Sequence, residues 1–215
     1  MDRHTRLPLA LLGALLAILA VSAALAPAGL VSWSLEVVPG LLMIAPFAIL
    51  WRRLPLSHWV CACMFLHVLV LNYGGIYTYA ETPLGNWARD TFGLARNPYD
   101  RVGHLALGVF PVFLAREVLL RRTPLRRDGW LVFLLLSVIL AIGAFWELVE
   151  WWTTLVVAGD TGQAFLGAQG DVWDAQWDML LALVGAAIAL PLGSRGHDRS
   201  MAAVPGLGDS PARAS

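Results

Sequence analysis

The chain has 215 residues, of which 58% are hydrophobic and 14% are charged, and its formal net charge is zero. Soluble domains carry about 25% charged residues, so this composition excludes an ordinary soluble domain. Apart from the arginines that flank apolar segments, no basic patch is interleaved with aromatic residues, which argues against nucleic-acid binding. The composition predicts an all-α, polytopic membrane helix bundle that lies in a lipid bilayer.

Six apolar segments follow one another along the chain, and a membrane-spanning helix needs ~20 such residues. They run from Leu7 to Ala26, Val37 to Trp51, Leu56 to about Tyr79, Asp100 to Arg121, Gly129 to about Ala158 and Asp171 to Leu192. We therefore expect one transmembrane domain over residues 1–192 and a polar, disordered, cytoplasmic tail over residues 193–215.

The first segment also resembles a signal peptide, because Ala24-Leu-Ala26 has the small residues of a cleavage site. Its apolar run is longer than a usual signal core, and Pro27 follows the small residues directly. We therefore expect the first helix to be retained.

The arginines predict the orientation, because cytoplasmic loops of membrane proteins carry the excess of basic residues. With the N-terminus placed in the cytoplasm, twelve of the fifteen arginines fall on that side, and only Arg89, Arg96 and Arg101 fall on the other. Ten of the fifteen acidic residues fall on the extracytoplasmic side. Six spans with both termini cytoplasmic follow. Trp87, Phe92 and Leu94, in the loop from Ala80 to Tyr99, are expected to rest on the membrane surface.

Three segments bring polar side chains to one depth. With a rise of ~1.5 Å per residue, Glu147 lies ~27 Å from Gly129, where its segment begins. Asp178 and His104 are each seventeen residues away from an arginine at the cytoplasmic end of their segments, which corresponds to ~25 Å. These groups are therefore expected to share one layer just inside the extracytoplasmic boundary.

Within each segment the polar residues also follow one helix face, since residues three, four or seven apart lie on the same side of a helix. A charged side chain deep in a bilayer costs ~3 kcal/mol, so these groups should converge inside the bundle. The predicted catalytic residues are Asp100, His104, Glu147, Glu150, Asp174 and Asp178. The predicted metal ligands are His104, Glu147, Glu150, Asp171, Asp174 and Asp178.

Each residue also has a simpler interpretation. His104 alone can be a hydrogen-bonded histidine at the membrane interface, and Asp171 and Asp174 can be acids that favour a helix start. The tryptophans around them are typical of a membrane-interface belt. The agreement of depth and helix face in three segments favours a functional site.

Three motifs carry a resemblance to a known family. They are Pro98-Tyr-Asp-Arg-Val-Gly-His104, Phe145-Trp-Glu-Leu-Val-Glu-Trp151 and Gly170-Asp-Val-Trp-Asp-Ala-Gln-Trp-Asp-Met179. These segments resemble the YjdF-like family of bacterial inner-membrane proteins, which implies the fold and the location but no established activity. A more distant similarity is to VanZ-like membrane proteins, although Asp100-Arg101 stands where that pattern favours Asp-Lys. It implies a role in the cell envelope.

Three hypotheses of function remain open. An enzyme would use a divalent cation (Mg, Mn, Ca or Zn) among the carboxylates to act on a lipid-linked or envelope substrate. A transporter or proton relay would use the same ionisable groups, but the chain shows no inverted repeat. A non-enzymatic envelope protein would use them only to hold helices together. We expect no comparable site at the cytoplasmic end.

Overall fold

The computed structural model describes residues 3–156 and 166–204, and the described parts are all-helical. The α-helices are α1 (Arg3–Leu25), α2 (Gly29–Ile49), α3 (His58–Tyr77), α4 (Pro83–Phe92), α5 (Tyr99–Val109), α6 (Pro111–Arg122), α7 (Gly129–Val156) and α8 (Asp174–Ala202). A short 3₁₀ turn, Tyr79–Glu81, lies between α3 and α4.

Six stretches are long and apolar enough to cross a membrane, which confirms the predicted helix bundle. They are His4–Leu25, Gly29–Ile49, His58–Tyr77, Tyr99–Arg122, Gly129–Val156 and Asp174–Ala202. The fourth stretch combines α5 and α6, which meet at Phe110. Pro111 interrupts the helix there, because proline has no backbone N–H to continue the hydrogen-bond ladder.

The predicted end of the last helix was wrong. The helix does not stop at Leu192 but continues to Ala202, so residues 193–202 are not a disordered tail. The polar sequence misled the prediction because one face of this stretch packs against neighbouring helices. Gly193 lies against the Phe113 ring, His197 is fully buried, and the Ser200 hydroxyl accepts a hydrogen bond from the Trp59 amide. Residues 205–215 lie outside the described residues.

The second helix also begins earlier than predicted, at Gly29 rather than Val37. Its first two turns carry Ser32, Trp33 and Glu36, which are buried inside the bundle. Trp33 donates to Ser22 of α1 and to Asn72 of α3, at 3.1 and 3.2 Å. These internal polar contacts allow a less hydrophobic stretch to form part of a spanning helix.

Helices α5 and α8 run parallel to each other. They pack closely because small residues face each other across their interface. A Cβ atom added to Gly108 would meet the Ala182 carbonyl oxygen and the Ala186 amide nitrogen, and one added to Gly185 would meet the Leu105 carbonyl oxygen. Close approach through small residues is a common way for membrane helices to associate. The third neighbour, α7, brings Gly143 within 3.6 Å of the Ala182 side chain, measured from an added Cβ.

This contact sets the register of the polar residues. One helical turn before Gly108 and Ala182 lie His104 and Asp178, and a further turn brings Asp100 and Asp174. In the antiparallel helix α7, Glu147 follows Gly143 by one turn towards the same end. The small residues thus place side chains from three helices opposite one another.

The Gly108 contact can be tested by substitution to alanine. Alanine normally stabilises a helix by about 0.5–1 kcal/mol relative to glycine. We expect the opposite for Gly108→Ala, because the added methyl group overpacks the interface at a cost of about 1–3 kcal/mol. The apparent melting temperature of the detergent-purified protein should fall.

The matched control is Gly13→Ala, because no atom lies within 4 Å of a Cβ added to Gly13 in α1. That variant should be as stable as the unmodified protein or slightly more stable. Equal stability of the two variants would contradict close packing at Gly108.

Candidate functional site

The six predicted catalytic residues come together at one end of the bundle. We call them the acidic cluster: Asp100 and His104 from α5, Glu147 and Glu150 from α7, and Asp174 and Asp178 from α8. The His104 Nε2 atom lies 3.4 Å from Glu147 Oε1 and 3.7 Å from Asp100 Oδ1. Except for Glu147, which is half-buried, every member of the cluster is buried.

Three overlapping sets within the cluster have the spacing of metal ligands, with one ligand atom per residue and all atoms of a set within 4.8 Å of one another. The sets are Asp100, His104 and Glu150; His104, Glu147 and Asp178; and Asp100, Asp174 and Asp178. Carboxylate oxygens with one imidazole suit hard or borderline divalent cations. The donor set therefore fits the kind of ion expected from the sequence.

Several ligand atoms of the cluster have no hydrogen-bond partner among the described residues, although they are buried. They are Glu147 Oε1, Asp178 Oδ1 and His104 Nδ1. A buried polar atom without a partner costs about 1–3 kcal/mol. Such atoms are consistent with a bound group that completes their coordination.

Arg96 is the main positive charge beside the cluster, and sequence analysis did not assign it to the site. Its guanidinium forms ion pairs with Asp174 and, at 3.3 Å, with Asp100, and donates to the Gly167 carbonyl at 2.9 Å. Burial by itself lowers the pKa of Arg96, but the hydrogen bond and charge of Asp174 and the charge of Asp100 raise it overall. Arg96 is therefore a permanent cation that orients two carboxylates. The four-residue spacing between Arg96 and Asp100 was the feature of the sequence that could have indicated this ion pair.

Asp171 differs from the other predicted metal ligands, because it belongs to none of the three sets. Its carboxylate pairs with Arg101 at 2.6 Å and accepts a hydrogen bond from the Trp173 amide at 2.9 Å. Arg101 also lies over the Trp177 ring, 5.7 Å from its centre. Asp171 thus lies at the edge of the acidic cluster, where it pairs with Arg101.

Glu36 is a second residue that sequence analysis missed, because the predicted second segment began only at Val37. It is 1% exposed, and neither of its carboxylate oxygens has a hydrogen-bond partner among the described residues. Glu36 lies within electrostatic range of Asp100 and Glu150. It also acts on the phenol of Tyr79, whose pKa is raised by burial and then by the charges of Glu36, Tyr99, Asp100 and Glu150.

The opposite end of the bundle holds a second buried polar network, which the sequence analysis did not predict. The Glu117 carboxylate accepts from the Ser57 amide and from Arg121, at 2.9 and 2.7 Å, and lies 3.0 Å from His197 Nε2. The other nitrogen of His197 lies 3.0 Å from Arg116. Because a guanidinium only donates, this nitrogen is the acceptor and Nε2 carries the proton that is donated to Glu117.

The two ends of the bundle differ in how many basic side chains lie beside their acidic side chains. At the Glu117 end the second acid, Asp198, pairs with Arg116 and Arg127, at 2.7 and 3.2 Å. Around the acidic cluster, in the part of the chain that the structure describes, seven carboxyl groups, counting Glu36 and Asp171, face only two guanidinium groups, those of Arg96 and Arg101. The first network satisfies itself, whereas the cluster has an excess of negative charge.

Comparisons with known proteins agree with the family resemblance seen in the three motifs. A sequence model of the family described as "Predicted membrane protein (DUF2238)" matches residues 7–199. The chain is 41% identical over 170 residues to "Inner membrane protein YjdF" of Escherichia coli (strain K12), which covers 79% of this chain and 81% of that protein. No solved structure matches the chain. The similarity to VanZ-like proteins stays a prediction.

The role of Arg96 can be tested with Arg96→Gln. Removing one partner of a buried ion pair costs about 3–5 kcal/mol, because the other charge stays buried and unpaired. We expect a large fall in the melting temperature of the purified protein. Adding Asp174→Asn should recover part of the loss, since the two residues interact directly.

Arg89→Gln is the matched control, because the ion pair of Arg89 with Asp90 is exposed at the surface. Exposed ion pairs contribute little to stability because water and salt screen them, so this variant should melt close to the unmodified protein. Additive effects of Arg96→Gln and Asp174→Asn would show that the pair does not hold the cluster.

Proposed function

The chain belongs to the DUF2238 family of membrane proteins, and on that premise we propose that its acidic cluster holds a divalent cation at the extracytoplasmic face of a bacterial inner membrane. The protein would use that cation to hydrolyse a lipid-linked or other cell-envelope substrate. The observation that carries the proposal is the presence of three overlapping ligand groups. Each of Asp100, His104 and Asp178 belongs to two of these groups.

Charge supports a cation before any chemistry is considered. Mutual repulsion among buried carboxylates is relieved by a metal ion, by protonation or by paired bases. The available bases are too few, since Arg96 and Arg101 face seven carboxyl groups. A divalent cation would supply two positive charges, and the oxygens of Glu147 and Asp178 that have no partner among the described residues could hold it.

The proposed class of substrate follows from the proposed orientation of the protein in the membrane. Arginine-rich loops favour the cytoplasm, and Arg121, Arg122, Arg126 and Arg127 belong to the end of the bundle opposite the acidic cluster. The cluster then opens towards the extracytoplasmic side, where lipid-linked and envelope compounds are found. The printed name of the E. coli relative, an inner membrane protein, supports the same membrane.

A cation held by Asp100, His104 and Asp178 would supply Lewis-acid chemistry for the hydrolysis of a phosphoryl or glycosidic bond. The residues of the chain hold the reacting groups in place. His104 lies between two carboxylates, those of Asp100 and Glu147, and is suited to accept or return a proton. Arg96 holds Asp174 and Asp100, so that their oxygens converge on one point.

One observation favours a proton or ion relay as a second candidate. Ionisable groups extend from the cluster into the bundle, since buried Glu36 of α2 and buried His67 of α3 have side-chain atoms without hydrogen-bond partners among the described residues. Ionisable residues within membrane helices often carry ions or protons. The relay needs these deeper groups, whereas the hydrolytic site needs only the cluster.

Thermal stability in the presence of cations tests the metal site. A ligand that binds only the folded protein stabilises it by RT ln(1 + [L]/Kd), about 2.7 kcal/mol at one hundred times Kd. We expect Mg, Mn, Ca or Zn to raise the melting temperature of the unmodified protein. Glu150→Gln and Asp178→Asn should remove that gain, because the amides keep the shape and lose the charge.

Asp90→Asn is the control for this scan, because Asp90 is exposed in α4 and outside the cluster. It should keep the full response to the cation. An equal response of Asp178→Asn and the unmodified protein would refute the metal site. Stabilisation by low pH alone, with no effect of any cation, would favour the relay.

The orientation is tested by labelling single cysteines from outside intact cells, in a background without Cys61 and Cys63. Cysteines at Asn86 and Gln169, near the cluster end, should react with an impermeant maleimide. Cysteines at Arg126 and Arg53, near the opposite end, should react only after the cells are opened. The reverse pattern would place the cluster at the cytoplasmic face and exclude an extracytoplasmic substrate.

A further inference from the structure

An apolar groove lies at the end of the bundle opposite the acidic cluster, between the beginning of α1 and the end of α2. Its volume is about 370 Å³, within the range of about 300–1,000 Å³ typical of small-molecule sites. Leu9 and Leu12 of α1 form one wall, Phe47 and Ala48 of α2 form the other, and Met64 and Phe65 of α3 lie at its base. In a membrane the groove faces lipid.

Beside the groove, polar contacts tie the beginning of α1 to residues at the beginning of α3. Pro8 lies inside α1 and has no N–H to bond the His4 carbonyl. That carbonyl accepts instead from His58 Nε2 at 2.9 Å, and His4 Nε2 donates to the Leu56 carbonyl at 3.1 Å. The two imidazoles stack with their centres 4.6 Å apart.

The end of α2 forms the mouth of the groove. Trp51 lines the groove and stacks on His4, with ring centres 5.8 Å apart. Arg52 also lines it, is exposed, and forms no ion pair with any described residue. Among the described residues, this guanidinium therefore lies without an ion-pair partner at the mouth of an apolar groove, beyond the last residue of the spanning stretch Gly29–Ile49.

We propose that this groove binds one phospholipid with an anionic head group, taken from the membrane leaflet at this end of the bundle. An acyl chain lies between α1 and α2, and the phosphate pairs with Arg52. Basic pockets between membrane helices bind anionic head groups in this way, and a guanidinium matches two oxygens of a phosphate. The groove is separate from the acidic cluster, so this site does not depend on the proposed function.

Native mass spectrometry of the delipidated, detergent-purified protein tests the site. The protein is given equal amounts of dioleoyl phosphatidylglycerol and dioleoyl phosphatidylcholine, which differ in charge but share their acyl chains. We expect one retained lipid, with phosphatidylglycerol favoured by about fivefold, the effect of one arginine near an anionic surface. Arg52→Gln should abolish the preference.

Two pairs of variants separate the head group from the acyl chain. Arg53→Gln is the control for Arg52, because Arg53 is also exposed but does not line the groove. It should keep the preference for phosphatidylglycerol. Ala48→Phe fills the groove and should reduce retention of both lipids to the same extent, because they share their acyl chains. Leu42→Phe, at an exposed position of α2 outside the groove, should not.

Each outcome bears on one part of the proposal. Equal retention of the two lipids by the unmodified protein, or an equal loss of preference in Arg52→Gln and Arg53→Gln, overturns the role of Arg52. Unchanged retention in Ala48→Phe shows that the lipid binds elsewhere and overturns the groove as its site. Circular dichroism of each variant verifies that the helices are intact.

Discussion

The parallel contact between α5 and α8 fixes the position of the polar groups, because Gly108 and Gly185 leave no room for a side chain between the two backbones. Helices this close cannot slide past each other without a clash, so the residues one and two turns away keep a fixed register. That register places His104 opposite Asp178 on facing helices. The spacing of the ligand atoms in the acidic cluster is therefore a consequence of backbone packing and not only of attraction among polar groups.

Much of this arrangement could be predicted from the sequence, because length, hydropathy and four-residue spacing are local properties. They gave six spans and the convergence of the residues from Asp100 to Asp178. Arg96 and Glu36 were missed because their roles depend on contacts with distant parts of the chain. Arg96 has the sequence context of an ordinary loop arginine, and only the fold shows that it pairs with Asp174. Glu36 precedes the predicted second segment but lies within α2 in the structure.

The last helix, α8, is a second case in which contacts with distant residues decide what local sequence cannot. The sequence after Leu192 is rich in glycine and polar residues, which locally favour disorder. In the structure Gly193 and Gly196 are the positions where the rings of Phe113 and Trp59 pack, and His197 completes the network around Glu117. Composition cannot distinguish a polar tail from a polar helix face that has buried partners elsewhere in the chain.

The contrast between the two ends of the bundle bears on what the acidic cluster is for. A polar network that only holds helices together is stable when each acid meets a base, as Glu117 does with Arg121 and His197. A network with an excess of buried carboxylates loses stability unless something from outside supplies positive charge. Around Asp178 the described residues offer only Arg96 and Arg101 for seven carboxyl groups. This excess of negative charge is the physical reason why we propose a binding site for a cation or for protons rather than a structural lock.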